Sequence, residues 1–261
     1  MPFKILLFAG LFCCAACQSH PIAPVKDTVA EPAVSLTDEN PYPAVAAIPL
    51  PAGYHRLPQS NDSFGDWLRH VTLKKNKLVY KYDGSLKGDQ SAQFAVLDIS
   101  VGDKNLQQCA DAVMRLRAEY LFAAKRYADI NFSDNAGTRY LFTQPYTHEH
   151  LLQYLERVFG MCGTASLAKQ MHPAGDPLAV QPGDVLVRGG FPGHAVIVMD
   201  VAENDTGERI YLLAQGYMPA QDIHLLKNPA DADLSPWYQA SGAPTIFTPE
   251  YTFMKNEWRS W

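Results

Sequence analysis

Two apolar runs joined by a polar turn constrain this chain most. Residues 193–201 (GHAVIVMDV) and 208–215 (ERIYLLAQ) flank Asn204-Asp205-Thr206-Gly207. Strand-forming runs on either side of an Asn/Asp/Gly turn require an antiparallel hairpin. A third strand, 183–188 (GDVLVR), opens after Gln181-Pro182, and earlier strands are expected at 78–82 and 94–101. Upstream the period changes. Between 103 and 127, Leu106, Cys109, Ala110, Val113, Leu116, Tyr120, Leu121 and Ala124 recur at three- and four-residue spacing, with Asp103 placed to cap the start. Shorter helical stretches are expected at 64–69, 147–159 and 164–171. Helices followed by antiparallel strands define an α+β domain, with a long helix and further helices packed on an antiparallel sheet.

The formal charge of −5 argues against a mainly electrostatic nucleic-acid binder, and an apolar content of 47% argues against disorder throughout. Residues 1–17 (MPFKILLFAGLFCCAAC) combine one Lys with a short apolar run, as a secretory signal does. Their end, Cys14-Ala15-Ala16-Cys17, resembles the bacterial lipobox. That resemblance implies a lipid anchor on Cys17 and attachment to the outer or cytoplasmic membrane of the cell envelope. Residue 18 is Gln rather than Asp, which favours the outer membrane. Residues 18–51 hold seven prolines and little periodicity, and read as an extended tether of up to about 100 Å. Residues 52–261 are then the folded domain, whose stability is expected not to depend on the tether.

Cys13 and Cys14 leave with the signal, so Cys109 and Cys162 are the thiols of the domain. His194 follows the loop Gly189-Gly190-Phe191-Pro192-Gly193 at a strand entrance. With a connection centred on Asp205-Thr206, His194 falls opposite Tyr217, and Gln215 lies diagonally on the same face. A side-chain amide beside an imidazole is how a base is oriented for a nucleophile. A helix capped by Asp103 puts Cys109 in its second turn, on the apolar face. A buried small hydrophobe, a nucleophile and a disulfide to Cys162 are all open readings there. If Cys109 meets His194, its thiol should ionise below the free value of about 8.5. Arg115, Arg117 and Glu119 form either a polar cluster beside a cleft or a solvated helix face. His148-Glu149-His150 points to different sides of a helix, so no metal site is read there. No cofactor motif is present.

The order of these elements resembles the papain-like cell-wall hydrolases of the NlpC type. The resemblance covers residues 106–215 and rests on Pro182-Gly183-Asp184-Val185 and Gly193-His194-Ala195-Val196-Ile197-Val198. It implies a papain-like architecture in which Cys109 is nucleophile, His194 base and Gln215 the orienting residue. Gln107 or Gln108 would lie near the oxyanion, with Tyr217 and Arg115 at the cleft, and peptidoglycan peptides would be the substrate. A wider resemblance links 54–253 to the bacterial lipoproteins of domain of unknown function 4846. It is carried by Ser63-Phe64-Gly65-Asp66-Trp67-Leu68-Arg69, by residues 106–120 (LQQCADAVMRLRAEY) and by Pro192-Gly193-His194-Ala195-Val196. Residues 214–221 (AQGYMPAQ) complete it. That family has no assigned activity. Two function classes follow: a cysteine amidase or peptidase, and a noncatalytic envelope protein binding a peptide or glycan in the same cleft.

Overall fold

The computed structural model describes residues 1, 2 and 39–261. The signal-like segment with Cys13, Cys14 and Cys17, and the proline-rich stretch up to 38, lie outside the described residues. In chain order the elements begin with β1 (Tyr54–Arg56), α1 (Phe64–Arg69), β2 (Gln93–Val96), α2 (Cys109–Ala123), β3 (Asn131–Ser133) and β4 (Arg139–Leu141). Next come α3 (His148–Met161), α4 (Thr164–Gln170), β5 (His172–Pro173), β6 (Val185–Arg188), β7 (His194–Asn204) and β8 (Arg209–Gln215). The chain ends with β9 (His224–Leu226), β10 (Tyr238–Gln239), β11 (Thr245–Phe247), β12 (Thr252–Met254) and β13 (Trp258–Ser260).

A nine-stranded sheet carries the fold in the order β2-β9-β8-β7-β6-β13-β5, with β1 added to β7 and β10 to β8. Its pairings are antiparallel, so the expected α+β class holds. Period-2 alternation sends Val185, Val187, Ala195, Ile197, Leu212 and Ala214 to one face, where α2 packs on β7. Leu186, Val196, Val198, Tyr211 and Leu213 point to the other face, against Phe253 and Trp258. Both faces are covered, which is why β7 reads as a nearly unbroken apolar run.

The hairpin reaches its expected register by two compensating steps. Asn204 N–H donates to Glu208 O at 3.0 Å, and Gly207 takes φ +82, so the loop holds three residues rather than an even number. That pairs Glu203 with Arg209 and Asp200 with Leu212. A bulge between Val198 and Asp200 then restores the other parity, giving Val198↔Leu213 and Ile197↔Ala214. The pairing ends at Ile197↔Ala214, and beyond it the His194 and Tyr217 rings lie 5.1 Å apart. At the bulge the fully buried Asp200 carboxylate accepts from Arg56 Nε at 2.7 Å and from Arg69 Nη2 at 2.7 Å, tying β1 and α1 to the central strand.

The strand expected at 94–101 ends at Val96, the one expected at 78–82 makes only isolated bridges, and two further boundaries differ from the sequence reading. Residues 39–51, read as the end of a tether, are packed on the fold. Val45 and Ile48 are fully buried, Ala44 bridges to Thr72, and Glu39 bridges to Asn76. These few apolar side chains anchor the stretch without any period a pattern search detects. The long helix does not start at Asp103. Residues 104–108 form tight turns, with Leu106 N–H on Lys104 O and Gln108 N–H on Leu106 O, and the helix opens at Cys109.

Candidate active site

Cys109 is the first residue of α2. Gln108 is its N-cap in extended conformation, and the N3 residue, Asp111, closes the end by accepting from the Gln108 N–H at 3.0 Å. Asp103 therefore does not cap this helix. An amide at N1 has no intrahelical acceptor and faces the positive end of the helix dipole. Gly216, just past β8, lets the strand pass close to this corner: a Cβ there would stand 2.7 Å from Gln108 O. A side chain at 216 would push the helix start away from the sheet.

His194 opens β7, across a cleft of about 420 Å³ from Cys109. Leu106, Phe159, Cys162, Thr164, Phe191 and Tyr251 also line the cleft. The His194 ring is nearly buried, 5.0 Å from the Tyr251 ring centroid and 5.1 Å from that of Tyr217. Its Nε2 lies 2.8 Å from Gln215 Oε1. Among the described residues Nδ1 has no hydrogen-bond partner, and it is not among the atoms sealed from solvent without one. The Cys109 thiol is half-buried, near the backbone N–H groups of Ala110 and Ala195. No hydrogen bond joins the Cys109 sulfur to the His194 ring among the described residues. They share the cleft, and a proton passing between them needs a ring swing or a bridging water.

Burial dominates the electrostatics. It pushes the Cys109 thiol above its ordinary value, opposing the helix dipole and the nearby N–H groups. This corrects the expectation of a depressed thiol. Burial lowers His194 to about 4, against a smaller opposing effect from Gln215. The resting pair is therefore an uncharged thiol and a neutral imidazole. Asp111, also on the cleft wall, is raised to about 8 by burial.

The remaining expected residues divide. Gln108 and Tyr217 line the cleft; Gln107 and Arg115 do not. Gln107 is buried under the 100–107 loop, and its Oε1 accepts from Arg115 Nη1 at 2.9 Å. Arg115 does not line this cleft and is not on a solvated face: it is buried, paired with Glu119 at 2.7 Å, and lines a smaller neighbouring pocket with Gln107. Because the helix opens at 109, the preceding segment folds back over Arg115, which also donates to Ser100 O at 3.3 Å. Cys162 is a free buried thiol on the cleft wall, raised to about 11 by burial, and Cys109 is likewise free.

Sequence reasoning missed the groups behind Gln215. Its Nε2 lies 2.6 Å from Glu250 Oε2 and 3.2 Å from His224 Nε2, and Glu250 Oε1 is 2.7 Å from Lys87 Nζ. These come from three separate segments, and no local motif announces them. The fold and cleft define an α+β domain with a thiol at a helix start facing an amide-held imidazole. A family model described as domain of unknown function (4846) matches residues 45–147 and 142–260, and the chain belongs to that family. No curated protein and no solved structure matches the chain.

Proposed function

We propose that this chain is an envelope lipoprotein, anchored through Cys17 in the outer membrane, whose cleft hydrolyses amide bonds of cell-wall peptides by cysteine catalysis. One observation carries the reading: Cys109 opens α2 at the cleft where His194 is held by Gln215 with Nδ1 free. In this mechanism Cys109 Sγ attacks the substrate carbonyl while His194 Nδ1 takes the thiol proton. The Cys109 N–H at the helix start, with Gln108 or Tyr217 beside it, stabilises the oxyanion. His194 returns the proton to the departing amine, and water then hydrolyses the thioester with the same base. Because the resting pair is neutral, the thiolate forms during attack rather than beforehand.

Purified protein incubated with peptidoglycan-derived peptides should release new amino groups. Cys109→Ala and His194→Ala should each lower that release by about 100-fold or more. Release by Cys109→Ala equal to the wild type would overturn the proposal. A noncatalytic peptide- or glycan-binding role is favoured by one observation, the burial that keeps both groups uncharged. Peptide bound without any turnover would support that role.

A further inference from the structure

Behind His194 runs a buried line of polar groups that the proposed reaction does not itself require. Gln215 is fully buried, and each end of its amide meets a defined partner. Oε1 faces His194 Nε2 at 2.8 Å, and Nε2 faces both Glu250 Oε2 at 2.6 Å and His224 Nε2 at 3.2 Å. We infer that Glu250, braced by Lys87, is a positioning residue that acts through the Gln215 amide to hold His194 in the tautomer with the proton on Nε2 and Nδ1 free. The inference rests on the cysteine-hydrolase reading for its consequence, since only a base facing the cleft needs a free Nδ1.

The proton assignment follows group by group. An ionised carboxylate only accepts hydrogen bonds, so the Gln215 atom at 2.6 Å from Glu250 must be the amide nitrogen. The flipped amide would set a carbonyl oxygen against a carboxylate oxygen at that distance. A longer contact to His224 agrees with this orientation. The His224 Nδ1 lies 2.9 Å from Asp222 O, a carbonyl that can only accept, so Nδ1 carries the proton and Nε2 offers a lone pair to the Gln215 amide. Burial lowers His224 to about 3, which keeps that ring neutral. With both amide hydrogens committed, Oε1 is left for His194 and requires a donor there. A neutral imidazole that donates from Nε2 has its lone pair on Nδ1. Lys87, itself buried, is ion-paired with the far carboxylate oxygen at 2.7 Å without hydrogen-bond geometry, and stands 5.9 Å from the Tyr217 ring centroid on the cleft wall.

Glu250→Gln tests this with almost no change in volume. Lys87 retains the carbonyl oxygen of the new side chain, which turns its NH₂ toward the NH₂ of Gln215. The clash at the 2.6 Å contact outweighs the longer 3.2 Å contact to His224 and favours an amide flip, and a flipped amide offers His194 a donor and draws the proton to Nδ1. In ¹⁵N-labelled wild-type protein at neutral pH, His194 should appear as one tautomer with a protonated Nε2. In Glu250→Gln it should become a mixture or shift to the Nδ1–H form, and amide hydrolysis should fall by about tenfold or more. A wild-type His194 protonated on Nδ1, or an unchanged tautomer in Glu250→Gln, would overturn the inference. The wild-type measurement alone decides if the variant does not fold. A tautomer that shifts as stated in a protein with no hydrolysis at all would leave the positioning intact and remove the hydrolase reading. Hydrolysis with an unmoved tautomer would do the reverse.

Discussion

At the scale of single residues, two buried titratable groups carry opposite consequences. Asp111 is raised from 3.8 to about 8 by burial, so between those values the folded chain holds a proton that the unfolded chain lacks. Its contribution to stability is complete below 3.8 and is lost as pH rises through 8. His194 works in the other direction. Lowered from 6.5 to about 4, it contributes fully above 6.5, and that contribution is lost as pH falls through 4. The window above 6.5 therefore isolates Asp111. Thermal unfolding at pH 6.5 and pH 9 should show the wild type losing more stability than Asp111→Asn, and equal losses would contradict the assignment. Asp200 has its charge paired. Removing its carboxylate strands Arg56 and Arg69, so Asp200→Ala should lower the unfolding free energy by about 3 kcal/mol in denaturant titration. A change within about 0.5 kcal/mol would mean that the arginines find other partners.

At the scale of elements, the strands were more legible than their ends. Strands β6, β7 and β8 are plain because each is a continuous apolar run bounded by glycine or turn residues. His194 meets Tyr217 and Gln215 as expected, although the turn differs from the expected one. The three-residue loop at Asp205-Thr206-Gly207 shifts pairing by one, and the bulge before Asp200 shifts it back. The start of α2 was not legible. Asp103 looks like a cap, but the reciprocal partner that closes the helix is Asp111, on the far side of Cys109. Leu106 keeps the apolar period from within a turn, so the pattern runs past the true end. The segment before β1 was missed for another reason: two buried side chains, Val45 and Ile48, are too few to make a period. A chain starting at residue 52 should therefore melt roughly 5 °C or more below one starting at residue 39. Equal melting temperatures would show that these contacts add nothing.

Across the whole molecule, the candidate site gathers groups from segments far apart in the chain. Cys109 comes from a helix start, His194 and Gln215 from neighbouring strands, Glu250 from the connection between β11 and β12, and Lys87 from the loop before β2. His194 and Gln215 were legible because each sits beside a glycine that marks a strand end, and Cys109 because it is one of two thiols left after the signal-like segment. Glu250, Lys87 and His224 were not, since only the folded sheet brings them behind Gln215. The closeness of β8 to α2 at Gly216, and the shared cleft of Cys109 and His194, make the account one of chemistry at a single corner of the sheet.

The central claim is that His194 serves as base to the Cys109 thiol, and the direct measurement is the alkylation rate of Cys109 in the folded protein at pH 7, followed by mass spectrometry. With the thiol raised by burial, little thiolate stands ready, so reaction at this pH depends on proton removal during attack. The wild type should react about tenfold or more faster than His194→Ala. The difference should shrink as pH climbs past the thiol's own ionisation. Equal rates in the two proteins, or a Cys109 that reacts only after unfolding, would contradict the account.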